Sequence, residues 1–151
     1  MDYCNSLLYG MPQHLIDRLQ RVQNAAARVV LLIPKFDHIR TALFDLHWLP
    51  VKQRIWFKIM LLTFKCLIGK APVYLRDMAE RYMPNRTLRS SNALLLKVPR
   101  FKNKTLGART FGYAAASLWN SLPLEIRAID NIDSFKSSLK THLFKLAFDI
   151  M

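Results

Sequence analysis

Acidic residues are scarce in this sequence, and their distribution is uneven. Ten Asp and Glu stand against 23 Lys and Arg, which gives a formal net charge of +13 and an isoelectric point of about 10.2. No acidic residue lies between Glu80 and Glu125, an interval with eight basic residues: Arg81, Arg86, Arg89, Lys97, Arg100, Lys102, Lys104 and Arg109. Such a stretch favours binding to an anion such as a phosphate backbone, whose counterions are released on association. The alternative is a solvated basic surface that keeps the protein in solution.

Cysteine, histidine and glycine are also rare, and their positions exclude several kinds of site. Two cysteines and four histidines are scattered, and no two have the close spacing of structural zinc ligands. Four unclustered glycines exclude a glycine-rich phosphate loop. Cys4 and Cys66 follow no disulfide pattern, which is typical of the cytoplasm or nucleus, and Cys66 lies on an apolar helical stripe that predicts a buried thiol. We therefore expect no metal and no cofactor.

Long apolar runs and paired carboxylates are missing as well. The longest apolar run, residues 25–33, is interrupted by Arg28 and is far shorter than the roughly 18 residues of a membrane span. No basic segment after Met1 leads into an apolar core, so no secretory signal is predicted. Polymerase chemistry needs closely placed acids for two divalent ions, and no Asp-Asp pair occurs. We therefore expect no membrane partner and no enzymatic activity from this chain alone.

What is present is enough apolar material for a folded core. Hydrophobic residues make up 52% of 151 residues, which argues against disorder and predicts a single domain. The spacing of these residues predicts a mainly α fold of five or six packed helices. We place them at residues 12–33, 39–46, 51–68, 72–82 and 110–122, with a last helix capped by Asp133 or Ser134.

Two of these helices carry informative patterns. The first has apolar residues in alternating steps of four and three, which predicts one narrow packing face: Leu15, Leu19, Val22, Ala26, Val29 and Ile33. Three arginines flank this stripe: Arg18, Arg21 and Arg28. The helix at residues 51–68 is apolar on two sides, which predicts a central position in the core. Its basic strip is Arg54, Lys58 and Lys65. Either basic set is a solvated face or part of a binding surface.

Between these helices and the last two lies a basic segment with interleaved aromatics. Residues 93–98 and 104–109 form either a small β-hairpin, restricted to an edge by Pro99, or irregular chain. Aromatic rings next to basic groups are typical of proteins that bind single strands, because any base can stack on a ring. Phe101 is the aromatic residue that we expect to be exposed, whereas Phe111 and Trp119 are expected to face the core. The predicted nucleic-acid site is Arg86, Arg89, Arg100, Phe101, Lys102, Lys104 and Arg109.

Four short phrases carry a family resemblance. They are DYCNSLLYG at residues 2–10, LQRVQNAAAR at residues 19–28, DLHWLPV at residues 45–51 and LWNSLP at residues 118–123. With matching order and spacing, the chain from residue 2 to about residue 148 resembles the C-terminal region of the reverse transcriptase polyprotein of jockey-like non-LTR retrotransposons. In that family this region follows the polymerase palm, and the palm carboxylates lie upstream of it.

The resemblance implies a fragment of a larger polyprotein. Its function would be the non-catalytic, nucleic-acid-binding part of an RNA-directed DNA polymerase, with RNA or DNA and the upstream polymerase domain as partners. One alternative is a helical structural or docking module, in which the helices at residues 12–33 and 51–68 pack on the rest of the polyprotein. Another is a decayed element fragment without activity of its own.

Overall fold

A computed structural model describes residues 3–84, 93–102 and 104–149, and within these ranges the chain is mainly helical and has no β-strand. The predicted fold class is therefore confirmed. The Cα positions divide the chain into two compact units. The first unit comprises Met1–Phe57 and Lys140–Met151, and the second comprises Lys58–Leu139. The single domain stays a prediction, since compact units of this kind also occur within one domain.

The helices follow the predicted order. They are α1 (Gln13–Leu31), α2 (Ile39–Asp45), α3 (Val51–Leu67), α4 (Val73–Arg76), α5 (Lys104–Gly107), α6 (Phe111–Asn120), α7 (Leu124–Arg127) and α8 (Ile132–Phe148), preceded by a 3₁₀ turn at Asn5–Leu8. Among the described residues, the helices longer than one turn are α1, α2, α3, α6 and α8, in line with the predicted five or six. No helix in the described ranges is long and apolar enough to span a lipid bilayer.

The ends of the helices have local causes. Leu32 adopts a left-handed conformation, with φ of 52°, and closes the C-terminus of α1. Gly69, with φ of 75°, follows α3. The predicted cap of the last helix is wrong, because the Asn131 side-chain oxygen accepts hydrogen bonds from the backbone N–H groups of Asp133 (2.8 Å) and Ser134 (3.2 Å). Asn131 is therefore the cap, and α8 begins earlier than expected.

Two predictions between residues 72 and 109 are also wrong. The helix predicted at residues 72–82 is limited to α4, and residues 104–107 form α5 instead of the second strand of a hairpin. Leu96 instead forms an isolated antiparallel bridge with Arg81. The N–H of Tyr82 donates to the Leu95 carbonyl (2.9 Å), and the N–H of Lys97 donates to the Glu80 carbonyl (2.9 Å). Residues 80–82 thus satisfy the backbone groups that a hairpin partner would have used.

The apolar face predicted for α1 is not the face that packs within this chain, and the buried face is rotated from it by about a quarter turn; packing of the apolar face on the rest of a polyprotein stays a prediction. The buried residues of α1 are Ile16, Gln23 and Ala27, whereas Val22 and Val29 are 59% and 73% exposed. The rotation has a polar cause, because α1 is held by side-chain hydrogen bonds to the turn before α3 and to the start of that helix. Hydrogen bonding to fixed backbone groups is directional, so it sets the rotation of the helix about its axis.

Aromatic side chains cluster in each unit, around the buried Phe135 in the second and around Phe44, which is 40% exposed, in the first. In the second unit the Phe135 ring stacks on Phe64, with centroids 4.2 Å apart, and on Trp119, with centroids 5.8 Å apart. In the first unit Phe44 contacts both Phe144 (5.3 Å) and Phe148 (5.5 Å). The α3 residues on both predicted apolar sides are buried, which confirms that part of the prediction: Val51, Ile55, Ile59 and Cys66 on one side, Met60 and Phe64 on the other.

Candidate nucleic-acid interface

The basic segment is fixed to α6 by two adjacent side chains. The Trp119 indole N–H donates to the Leu94 carbonyl (2.9 Å). The Asn120 side chain binds Leu96 twice, accepting from its N–H (2.8 Å) and donating to its carbonyl (2.9 Å). Leu96 itself is buried. Trp119 and Asn120 belong to the phrase LWNSLP, and their contacts give this phrase a structural role in positioning residues 94–98.

The other three phrases lie in the first unit, where the second is hydrogen-bonded to the third and the first to Arg54 of α3. Gln20 and Gln23 of the second phrase bind the third phrase, since Gln23 donates to the Leu49 carbonyl (2.9 Å) and Gln20 accepts from the Val51 N–H (2.9 Å). Asn5 of the first phrase is buried and donates to the Arg54 carbonyl (3.4 Å). Residues of the four phrases thus form hydrogen bonds between segments that are distant in sequence. The predicted nucleic-acid-binding residues lie outside the phrases.

Two glycines allow close packing around the segment. A Cβ added to Gly112 would lie 3.2 Å from the Met78 carbonyl oxygen, so the start of α6 approaches that backbone closely. A Cβ added to Gly107 would lie 2.3 Å from Cγ of Phe101, because the ring rests directly on α5. A side chain at Gly107 would therefore displace Phe101.

A cleft of about 790 Å³ opens beside this ring. Its lining residues are Val98, Pro99, Arg100, Phe101, Ala108 and Tyr113. The rings of Phe101 and Tyr113 have centroids 6.4 Å apart and are inclined by 58°. Phe101 is 40% exposed, so part of its ring surface is open to a ligand, as expected from the sequence. The cleft combines an aromatic and aliphatic wall with one guanidinium group.

The basic side chains in and near the cleft differ in whether they are already paired within the chain and so in how readily they could contact a ligand. Arg100 and Lys102 are exposed and form no ion pair within the described part of the chain. Lys97 pairs with Glu80 at 2.9 Å, with both side chains exposed. An exposed pair of this kind contributes little to stability and does not prevent either group from binding elsewhere. Arg109 is exposed at the turn between α5 and α6. The cationic rim of the cleft is therefore Arg100, which lines it, together with Lys102 on the adjoining exposed chain.

The predicted site residues have different positions in the structure. Arg86 and Arg89 lie outside the described residues. Lys104 begins α5. The cleft brings Arg100 and Phe101 together, and Lys102 and Arg109 lie on adjoining exposed chain.

Sequence reasoning missed three residues that position the cleft: Gly107, Trp119 and Asn120. Trp119 was expected in the core, and it is buried, but its hydrogen bond to Leu94 was not foreseen. The available signal was the amide of Asn120 beside Trp119 at the end of an apolar helix, a polar group that needs a partner when it is partly buried.

The other basic sets are partly engaged within the first unit. Arg28 donates to the Asp37 carbonyl (3.3 Å), and Arg54 donates from Nε to the Leu49 carbonyl (3.0 Å). Both side chains are half-buried. Guanidinium groups used in this way support the backbone, so these strips are weaker candidates for a nucleic-acid site than the rim of the cleft.

Cysteine and metal chemistry are not favoured by the described residues. Cys66 is buried, as predicted, and burial raises the pKa of its thiol, which makes it a poor nucleophile near neutral pH. Across residues 3–84, 93–102 and 104–149, no three His, Cys, Asp or Glu side chains come close enough to hold a metal ion.

Comparison of the chain with protein-family models, with curated proteins and with solved structures finds no match.

Proposed function

We propose that this chain binds single-stranded RNA or DNA, with Phe101 stacking on an unpaired base and Arg100 and Lys102 contacting the adjoining phosphates. The observation that carries the proposal is the cleft, which is lined by Arg100 and by the exposed ring of Phe101, with the exposed Lys102 on the adjoining chain. An unpaired base offers its face to a ring, whereas a base in a duplex is stacked on its neighbours. A net charge of +13 supplies a long-range attraction to phosphate.

We further propose that the chain is the C-terminal, non-catalytic part of an RNA-directed DNA polymerase from a jockey-like non-LTR retrotransposon. The support is the order and spacing of the four phrases, together with the absence of an Asp-Asp pair in the sequence. The upstream polymerase domain of the same polyprotein would supply the catalysis, in the cytoplasm or nucleus. The cleft would hold template or target strand near that domain.

The binding proposal is tested by fluorescence anisotropy with labelled single strands and a duplex of equal length over a range of salt concentrations. We expect tighter binding to the single strands. Phe101→Ala removes the stacking surface, so affinity should fall by about 1–3 kcal/mol with little change in the salt dependence. Arg100→Glu with Lys102→Glu removes phosphate contacts, so affinity should fall and the salt slope should flatten by about 0.7 per contact.

A matched control separates the site from bulk charge. Lys70→Glu with Lys140→Glu changes the net charge equally at two exposed residues that do not line the cleft. We expect this variant to bind more tightly than the Arg100 and Lys102 variant. Equal losses in both double variants, or no binding by the wild-type chain at low salt, would refute the site. Circular dichroism shows whether each variant is folded.

The polymerase proposal is tested separately on the native transcript. We expect the reading frame to continue upstream of Met1 into a segment with paired palm aspartates. A stop codon directly upstream, with a short product still made, would contradict it. Nucleic-acid binding at the cleft would then be a property of the short protein by itself.

A further inference from the structure

A second exposed surface lies on α1 and is apolar. We define its outer stripe as Val22, Ala26 and Val29, which lie on one face of the helix and are all exposed. Val30, in the last turn of the helix, and Leu32 and Phe36, which follow it, are exposed apolar residues as well. Contiguous apolar surface bordered by polar residues is characteristic of interaction sites.

The chain itself does not cover this stripe, because α1 is fixed by its polar face. Gln23 is buried and bonded to Leu49, and Gln20 is bonded to the Val51 backbone. Gln20 also donates to Asn24 (2.8 Å), which links the polar side chains along the helix. Rotating α1 to bury the valines would break these bonds and take the buried Gln23 amide away from its partner. The stripe is therefore held outward.

The spacing of the stripe fits an α-helical partner. Val22, Ala26 and Val29 are separated by steps of four and three residues, the a and d spacing of a coiled-coil seam. Small and β-branched side chains at such positions accept the knobs of a facing helix. A membrane surface instead favours a helix face with Trp, Phe and Leu; the stripe on α1 consists of valine and alanine, and the exposed Leu32 and Phe36 lie beyond the end of the helix.

The flanking charge specifies the partner further. Arg18 and Arg21 are exposed beside the stripe, and no acidic residue lies between Asp17 and Asp37. A second copy of the chain would bring these arginines together and add one net charge of +13 to another. An acidic helix would pair with them, since opposite charges beside a coiled-coil seam select the partner.

We propose that the outer stripe of α1 docks an acidic amphipathic helix of another polypeptide, with apolar residues in heptad register and Glu or Asp on the flanks. This surface is separate from the cleft at Phe101 and does not depend on nucleic-acid binding.

The probe for the test is a fluorescein-labelled synthetic peptide of about four heptads, with Leu at a and d and Glu at e and g, whose like charges oppose self-association. We expect saturable binding to the full chain. Val22→Gln with Val29→Gln should weaken binding about tenfold or more, because two apolar contacts are lost without a change in net charge. Gln is a good helix former, so α1 should remain intact.

The matched control is Leu7→Gln with Val73→Gln, at residues that are 78% and 60% exposed, and it should bind the peptide like the wild type. The Arg100→Glu, Lys102→Glu variant should also retain peptide binding, so failure of one proposal leaves the other standing. A peptide of the same composition in scrambled order should bind weakly, and equal binding would overturn the proposal in favour of charge alone.

Two further results would overturn the proposal. One is sedimentation of the chain with anionic phosphatidylserine vesicles that depends on the outer stripe, in the absence of peptide binding. The other is a concentration-dependent dimer in analytical ultracentrifugation that the Val22 and Val29 variant abolishes, again without peptide binding. The first would assign the stripe to a lipid surface, and the second to a second copy of the chain.

Discussion

Helices α1 and α8 have similar apolar patterns in sequence but opposite outcomes in the structure. The apolar stripe of α8 is Phe135, Leu139, Leu143 and Leu146; the first three are at most 1% exposed, and Leu146, near the end of the helix, is 53% exposed. In α1 the equivalent residues Val22 and Val29 are mostly exposed. An amphipathic pattern therefore predicts that a helix has an apolar face. It does not predict that the chain covers this face itself.

The difference lies in what holds each helix. Phe135 of α8 packs between two aromatic rings, those of Phe64 and Trp119, so burial of apolar surface holds its stripe. The contacts of α1 include the amides of Gln20 and Gln23 bonded to backbone groups at Leu49 and Val51. Directional bonds of this kind determine which side of α1 faces inward. They leave its apolar side exposed, where we propose that a partner helix binds.

Truncation of one residue from each stripe should give the largest difference between the two helices in the free energy of unfolding. Leu139→Ala in α8 should lower the free energy of unfolding by about 2–5 kcal/mol, because it leaves a cavity in the core. Val29→Ala in α1 should change it by no more than about 0.5 kcal/mol, because the valine is exposed. Urea denaturation of both variants measures the difference. Similar losses would mean that the outer stripe is covered within the chain.

Removal of the buried amide of α1 should give an intermediate effect. Gln23→Ala removes one of the two donors of the Leu49 carbonyl, which keeps Arg54, so the free energy of unfolding should fall by about 0.5–1.5 kcal/mol. Gln13→Ala is the control on the same helix, since Gln13 is exposed and its amide bonds the exposed Asp17 of the same helix. It should change stability by less than about 0.5 kcal/mol. Equal effects at the two positions would show that α1 is not held by its polar face.

The smallest effect is expected from pH, through His142 in α8. Burial lowers the pKa of His142 below the ordinary value of 6.5. The unfolded chain therefore takes up a proton at a higher pH than the folded chain. The stabilising contribution is fully present above pH 6.5 and is lost as pH falls through the lowered pKa of the folded state.

The measurement is urea denaturation at about pH 7.5 and about pH 5.5, for the wild type and for His142→Gln. The variant should lose less stability on acidification, by a small amount because the side chain is only half-buried. An NMR titration that gives a folded-state pKa for His142 at or above the ordinary value would contradict the prediction.

Most of the fold was predictable because its signals are local. Apolar spacing placed α3, α6 and α8, and prolines and glycines marked their ends, since Pro50 precedes α3 and Gly69 follows it. The bridge of Leu96 to Arg81 was not predictable, because residues 80–82 compete with residues 104–109 for the same backbone groups. The spacing of apolar residues does not predict which of the two segments pairs with the backbone of residues 95–97.

The candidate site was predictable in part for the same reason. The sequence by itself determined that the interval between Glu80 and Glu125 is basic, that Phe101 stands between Arg100 and Lys102, and that α1 is amphipathic. Charge and periodicity are properties of residues in order, so they can be read directly. Only the tertiary structure decided that Gly107 supports the ring of Phe101, that Asn120 fixes the segment before it, and that α1 faces inward with its glutamines. These contacts join residues distant in sequence, and their hydrogen-bond geometry is settled by packing.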